Sequence, residues 1–313
     1  MQAFDMPAPD IDRVLKRNGV GIRFRVFEPG VKASGMVLML PPWAIVPSDI
    51  WAPQVRALRA DYRVVVIDGR GSGGSGRPRT VEAYRSDEYV ADAIAVLDLL
   101  EIAQAHLVGL SFGGHVAALL AAAHPERTTS ATLIAPSAPF GPANPFMTPE
   151  RFLSAWNGEP GWAMFNRTAF LADYAAFARF FVREATGPGY DALVEQGVRL
   201  AQQTDGVTLA LTVAARADSA RSEGIDRYQR IRCPALVIHG GADCIVPAAK
   251  GKLVAKTIGA SFRLLKHAGH VPNQTRPRTV NRLLLSFLHD LHTQASRAHV
   301  ENRSNHILMN RGA

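Results

Sequence analysis

The stretch Gly109-Leu110-Ser111-Phe112-Gly113 decides the fold of this chain. It follows a short apolar run at 105–108 and opens an alanine-rich stretch at 115–124, so it predicts a strand, a sharp turn and a helix. The two flanking glycines let neighbouring backbone approach a strained turn closely. The turn would project the Ser111 hydroxyl above a sheet edge, towards the positive end of the helix. We expect Ser111 to be a nucleophile; the alternative is a glycine-rich turn of another α/β domain.

Further apolar runs repeat this strand-and-helix pattern on both sides of the stretch. They predict buried strands at 35–40, 62–67, 131–135 and 233–239. Apolar residues at helical spacing predict helices at 48–59 and 86–100. Alternating strands and helices predict the α/β class, with a mostly parallel central sheet and helices on both faces.

The segment 137–231 interrupts this alternation, because it shows helical periodicity, no convincing strand and many aromatic residues. We interpret it as a small helical subdomain, and we expect a few of its rings to cover an apolar pocket. The core of the protein would then comprise 12–136 and 232–293. The termini, 1–11 and 294–313, are interpreted as flexible tails.

Three polar residues satisfy the needs of a serine nucleophile. A serine hydroxyl needs a base that takes its proton and a third group that orients that base. Ser111, Asp243 and His270 each follow a predicted strand, and parallel sheets place their sites at that edge. Their chain order, Ser then Asp then His, is typical of α/β-hydrolases.

Other candidates for these roles are less favoured. His267 is a competitor for the base, and Asp226 is expected on the surface of the insert. His115 lies one helical turn beyond Ser111 and is expected to be structural. Asp68 and Arg70 are expected to brace the loop beside the turn.

Taken together, these motifs make the chain resemble the α/β-hydrolase superfamily over residues 19–293. The resemblance rests on Asp68-Gly69-Arg70-Gly71 with Ser75 and Pro78, on Gly109–Gly113, on His239-Gly240-Gly241-Ala242-Asp243 with Pro247, and on Gly269-His270. It implies an α/β-hydrolase fold whose helical cap is inserted after the sixth strand. His270 is preferred to His267 because the family places its base directly after the glycine.

The resemblance also implies where a substrate is held. Backbone N–H groups of Trp43 and Phe112 would bind the oxyanion, although Pro41-Pro42 stands where many relatives have His-Gly. A cis Pro41–Pro42 bond is one way to form the required turn. The expected substrate-binding residues are Trp43, Phe146, Trp156, Trp162 and Val271.

Composition excludes several other classes. The net charge of +8 comes from scattered arginines, so nucleic-acid binding is not expected. The segment 71–76 spells G-x-G-x-x-G, but no helix follows it at once, which argues against a nucleotide site. No paired cysteine or H-E-x-x-H set is present, so we expect no metal and no cofactor. No apolar run is long enough to span a membrane.

These motifs predict a serine hydrolase. A cytoplasmic location is expected because two cysteines cannot form a disulfide framework. The expected substrate is a small or medium apolar ester, lactone or thioester. The alternatives are a carbon–carbon bond hydrolase of ring-cleavage products, an acyl transferase and a ligand receptor with a silent triad. A homo-oligomer is left open.

Overall fold

A computed structural model describes residues 4–219 and 223–309, with side chains for 4–218 and 223–294. Its centre is an eight-stranded sheet with the strand order β1-β2-β4-β3-β5-β6-β7-β8. Strands β3 to β8 run parallel, and β1 and β2 add an antiparallel edge. The strands are β1 Ile11–Arg17, β2 Val20–Phe27, β3 Met36–Leu40, β4 Arg63–Ile67, β5 Ala105–Leu110, β6 Thr128–Ile134, β7 Ala235–Gly240 and β8 Ser261–Leu265.

The central strands are apolar on both sides because helices cover both faces of the sheet. Every residue of β5 is buried, and β3 and β4 are buried along nearly their whole length. The helices are α1 Ala52–Leu58, α2 Ser86–Leu99, α3 Phe112–Ala123, α4 Pro149–Leu153, α5 Arg167–Ala172, α6 Tyr174–Thr186, α7 Asp191–Ala201, α8 Gly206–Ser219, α9 Ile225–Tyr228, α10 Ala248–Ile258, α11 Pro272–Thr275 and α12 Pro277–Met309. The α/β class predicted from the sequence, with a mostly parallel central sheet, is thereby confirmed.

Between β6 and β7 the chain forms helices α4–α9, and within the described part of this segment there is no strand. This is the segment for which the sequence predicted a helical insert. Its buried phenylalanines Phe165, Phe170, Phe177 and Phe181 pack around the ring of Trp43, which belongs to the core. The segment is therefore joined to the core through an aromatic cluster directly beside β3.

Secondary structure reaches into both segments that the sequence interpretation assigned to tails, by one residue at the N-terminal end and by most of 294–313 at the C-terminal end. Strand β1 begins at Ile11 and pairs with β2 along its whole length, although its sequence is largely polar and exposed. The last helix does not end near residue 293 but continues to Met309. Residues 1–3 and 310–313 of the two predicted tails lie outside the described residues.

None of the helices within the described residues is both long enough and apolar enough to cross a bilayer.

Candidate active site

Ser111 occupies the sharp turn between β5 and α3, with φ 55° and ψ −114°, a backbone conformation that side-chain-bearing residues rarely adopt. The turn is held by hydrogen bonds from Ser111 N to Ile134 O (2.8 Å) and from Ser137 N to Ser111 O (3.1 Å). The flanking glycines are required sterically. A Cβ at Gly109 would lie 2.1 Å from Gly113 O, and one at Gly113 would lie 2.3 Å from Leu40 O. The chain can form this turn because positions 109 and 113 are glycines, which carry no side chain.

Asp243 and His270 meet at the ends of adjacent strands. Asp243 follows β7 and His270 follows β8, and Asp243 Oδ2 lies 2.8 Å from His270 Nδ1. The other carboxylate oxygen accepts hydrogen bonds from the backbone N–H groups of Ile245 and Val246, both at 2.9 Å. The aspartate side chain is completely buried, so its orientation is fixed. His270 Nδ1 therefore carries the proton in this contact, which leaves Nε2 as the basic atom.

His239, at the end of β7, is a third member of this group. Its Nε2 lies 3.1 Å from Asp243 Oδ2 and 3.0 Å from Val246 O, so this nitrogen donates. Burial alone would raise the pKa of Asp243, but the neighbouring His270 and the hydrogen bonds from His239 and His270 bring the pKa below its ordinary value. Asp243 is therefore kept as a carboxylate. The sequence contained this histidine within a quoted motif but gave it no role.

Ser111 and His270 line one cavity of about 540 Å³ between the sheet edge and helices α4–α9. Most of its wall is apolar, and this part includes Trp43, Phe152, Phe165, Phe181, Met147, Ile245 and Val271. A polar section of the wall is formed by Ser86, His115, Ser137, Arg216, Asp218, Glu223 and Lys250. The cavity has the size and the mixed lining of a site for a small organic molecule.

The expected substrate-binding residues divide into two groups. Trp43 and Val271 line the cavity, whereas Phe146, Trp156 and Trp162 do not. Phe146 stacks on Trp162 with ring centroids 5.8 Å apart, and Trp162 packs edge-on against Phe180.

The Trp156 indole donates to the backbone oxygen of Glu159 at 2.8 Å. These three rings therefore pack within the insert and do not line the cavity that contains Ser111, so their role in substrate binding stays a prediction. Phe152, Phe165 and Phe181 of the same insert face the cavity instead. Helical periodicity marks a buried face but does not say which buried ring faces a void, so the sequence gave no means of choosing among them.

The loop after β3 lies against the turn that holds Ser111, since a Cβ at Gly113 would also lie 2.3 Å from Pro41 O. All described peptide bonds are trans, so the cis form considered for Pro41–Pro42 does not occur. Trp43 is buried and its indole Nε1 donates to Thr212 Oγ1 of α8 at 2.6 Å. Trp43 thus has a structural function as well as a place in the cavity wall. Phe112 begins α3, directly after Ser111.

His115 forms a buried network with the end of the insert. Its Nε2 lies 2.8 Å from Glu223 Oε2, and its Nδ1 lies 2.7 Å from Tyr228 Oη. Burial, the largest influence, lowers the pKa of His115, and the hydrogen bond to Glu223 opposes that shift. Ser86 Oγ also donates to Glu223. The structural function expected for His115 agrees with this arrangement.

The competing candidates lie elsewhere. His267 and Asp226 are both exposed, and neither contacts Asp243 or His270. Asp68 accepts hydrogen bonds from the backbone of Ser48 and Gly74, and Arg70 forms a buried ion pair with Asp92. Both therefore brace the loop after β4. Among the described residues, no cluster of three or more histidine, cysteine or acidic side chains is arranged to hold a metal ion.

The comparison with known proteins identifies the class. The model of the α/β hydrolase fold family matches residues 47–277, so the chain belongs to that family and is an α/β hydrolase. It is 29% identical over 234 residues to 3-oxoadipate enol-lactonase 2 of Acinetobacter baylyi, covering 74% of this chain and 81% of that protein.

Two further proteins are similar over most of the chain. The 2-hydroxymuconate semialdehyde hydrolase of Pseudomonas sp. CF600 is 28% identical, with 84% of this chain and 88% of that protein covered. The crystal structure of the enol-lactonase from Burkholderia xenovorans LB400 superposes with a TM-score of 0.75 at 24% identity, covering 88% of this chain and 99% of that one. At that identity the superposition establishes the fold.

Proposed function

We propose that this protein is a serine hydrolase that cleaves carboxylic esters or lactones through an acyl-enzyme, with Ser111 as nucleophile, His270 as base and Asp243 as the orienting acid. The observation that carries the proposal is the position of His270. One ring nitrogen is bound to the buried Asp243 carboxylate, and the residue lines the cavity that also holds Ser111. A buried carboxylate that fixes the tautomer of a histidine beside a serine is the arrangement that activates a hydroxyl.

The reaction would proceed in two halves. Ser111 Oγ attacks the carbonyl carbon while His270 Nε2 takes its proton, and the carbonyl oxygen becomes an oxyanion. Collapse of this intermediate breaks the bond to the leaving oxygen, which receives the proton from His270. Water then attacks the acyl-enzyme with His270 as base, releasing the acid and restoring Ser111. The described hydrogen bonds include none between Ser111 and His270, and the proposal requires that this contact form when substrate binds, as catalytic hydrogen bonds often tighten in the complex.

The oxyanion would be held by the backbone N–H groups of Trp43 and Phe112. Phe112 N lies at the start of α3, where the helix dipole favours negative charge. Trp43 is the first residue after β3 with a backbone N–H beyond the two prolines, and Pro41 packs directly against the turn at Gly113. Donors fixed in this way stabilise charge as it develops on the substrate oxygen.

The cavity supports a small or medium substrate that is apolar over most of its length. Its aromatic and aliphatic wall would bind an acyl chain or a lactone ring by burial of apolar surface. Similarity to an enol-lactonase over most of the chain supports lactones within this class. The cytoplasmic location and the small-molecule substrate belong to this proposal, and a homo-oligomer stays a prediction.

A substrate panel tests the proposal. Wild-type protein would be assayed with p-nitrophenyl esters of increasing chain length, with aliphatic lactones and with a dienone ring-cleavage product. We expect turnover of esters and lactones that falls to background in Ser111→Ala and persists in Ser34→Ala, an exposed serine at a loop. Turnover of the dienone alone would favour carbon–carbon hydrolysis, and binding without any turnover would favour a receptor.

A further inference from the structure

Two cationic side chains line one wall of the cavity that contains Ser111. Arg216 extends from α8, and Lys250, which is almost fully buried, extends from α10. They come from different parts of the chain and meet only in the folded protein. They bond to consecutive residues, Arg216 to Ser137 and Lys250 to Ala138, so they lie near each other. Burial, followed by the charge of Arg216, lowers the pKa of Lys250 to about 8.

Neither cation forms an ion pair with an acidic side chain within the described residues 4–218 and 223–294. The Arg216 guanidinium donates to Ser137 Oγ at 3.2 Å and lies 5.4 Å above the centre of the Phe112 ring. Lys250 Nζ donates to the backbone oxygens of Ala138 (2.7 Å) and Phe140 (2.8 Å). Buried cations are normally paired, so two unpaired cations at one cavity wall leave room for an anion.

Two acidic residues, Glu223 and Asp218, also line this cavity. Glu223 is bound by His115 and Ser86, and its charge also acts on Arg216, where it opposes the burial that lowers the pKa of the guanidinium. Asp218 is exposed. Neither carboxylate forms an ion pair with Arg216 or Lys250, so the two cations remain available to a ligand inside the cavity.

Two residues, Ser137 and Phe112, connect this wall to the proposed nucleophile Ser111. Ser137, which accepts from Arg216, donates its own backbone N–H to Ser111 O at 3.1 Å. Phe112, whose ring lies below the guanidinium, is the residue that follows Ser111. A ligand group bound at Arg216 would thus lie near Ser111. One small molecule would then carry both this group and the bond that Ser111 attacks.

We propose that Arg216 and Lys250 form a carboxylate subsite, so that the substrate is an ester or lactone that also carries a free carboxylate. This rests on the proposed hydrolase function. A planar guanidinium binds a carboxylate through two parallel hydrogen bonds, and a lysine adds a point charge. The apolar part of the cavity wall, which includes Trp43, Phe152 and Phe165, would hold the apolar chain between the two functional groups. The net charge of +8 would favour the approach of such an anion.

The test uses two compounds that differ in one charge, p-nitrophenyl hydrogen adipate and its methyl ester. Calorimetric binding to Ser111→Ala separates recognition from chemistry. We expect the free acid to bind about tenfold or more tightly than the methyl ester, as a charge-assisted hydrogen bond to a carboxylate predicts. Adding Arg216→Gln should abolish this preference, and Arg199→Gln, an exposed arginine on α7, should leave it unchanged.

Two additional measurements test whether the preference for the acid depends on the charge and the planar shape of Arg216. Arg216→Lys keeps the charge without the planar fork and should retain part of the preference, and raising the salt concentration should weaken binding of the acid but not of the ester. Equal binding of the two compounds to Ser111→Ala would overturn the subsite. If the acid is preferred but wild type turns over neither compound, the subsite stands and the hydrolase proposal fails.

Discussion

Asp243 Oδ2 lies 2.8 Å from His270 Nδ1, although 27 positions separate the two residues in the chain. The contact forms because β7 and β8 are adjacent parallel strands, so the loops at their carboxyl ends meet at one edge of the sheet. Asp243 is buried and also accepts two backbone hydrogen bonds on its other oxygen, which holds the carboxylate in a single orientation.

Asp243→Asn should lower turnover by about 10⁴-fold, because the amide can donate to His270 Nδ1 and so favours the wrong tautomer. The substituted amide still offers one oxygen to the backbone N–H groups of Ile245 and Val246, so the melting temperature should change little. Steady-state kinetics and thermal unfolding measure the two effects. Asp226→Asn on the exposed α9 is the matched control, and an equal loss of turnover there would show that the roles are wrongly assigned.

Gly251→Ala should disturb the group formed by Asp243, His239 and His270. A Cβ at Gly251 would lie 2.1 Å from His239 Nδ1, so the ring must shift from its position beside Asp243. We expect a loss of about 1–3 kcal/mol in the free energy of unfolding, as for other overpacked cores. Turnover should fall as well.

The control is Gly30→Ala, where a Cβ meets no atom within 4 Å. A Gly251→Ala protein with unchanged stability and turnover would mean that His239 has no part in holding Asp243.

Substitutions in the loop after β3 test the proposed oxyanion donors. Trp43→Phe keeps the backbone N–H but removes the hydrogen bond to Thr212, so it should change substrate preference and lower stability by about 1 kcal/mol or more. Pro42→Ala should loosen the loop and lower kcat more than it raises KM. Pro142→Ala, at an exposed position, serves as the control. A Pro42→Ala enzyme with unchanged kcat would argue against a preorganised loop.

The proposed carboxylate subsite should weaken as pH rises through about 8, since burial and Arg216 bring the pKa of Lys250 to about 8. Below that pH the lysine is charged, and above it the charge is lost. The ratio of kcat/KM for the free acid to that for the methyl ester should therefore fall, while any pH dependence of the chemical step that the two compounds share cancels from the ratio.

Stability should not fall over the same range. The folded-state pKa of Lys250 lies below the ordinary value of 10.5, so loss of its proton favours the folded protein. Lys250→Met should flatten the profile of the ratio. A wild-type ratio that is constant from neutral to alkaline pH would exclude Lys250 from the subsite.

Much of the sheet could be predicted because buried parallel strands are continuous apolar runs, as β5 illustrates. Strand β1 was missed, since Ile11–Arg17 is an exposed edge with little apolar pattern. Helix α10 was also missed, because Ala248–Ile258 has only three large apolar residues, Leu253, Val254 and Ile258, and they mark no clear helical stripe.

In the candidate site, too, some residues could be predicted from the sequence and others could not. Ser111, Asp243 and His270 could be selected because each stands in a short motif at a strand end. The residues that line the pocket could not be selected, because the lining depends on side-chain directions, and Phe146, Trp156 and Trp162 are not part of it. Arg216 and Lys250 are unremarkable in the sequence, and only the packing of α8 and α10 around one cavity brings them together.

Covalent labelling of Ser111 tests the central claim most directly. Wild-type protein would be treated with a fluorophosphonate, and the adduct located by intact mass and peptide mass spectrometry. The account predicts one adduct, on Ser111, that is absent from Ser111→Ala and strongly reduced in His270→Gln, because the hydroxyl then lacks its base. An adduct that persists in Ser111→Ala, or that maps to another serine, would contradict it.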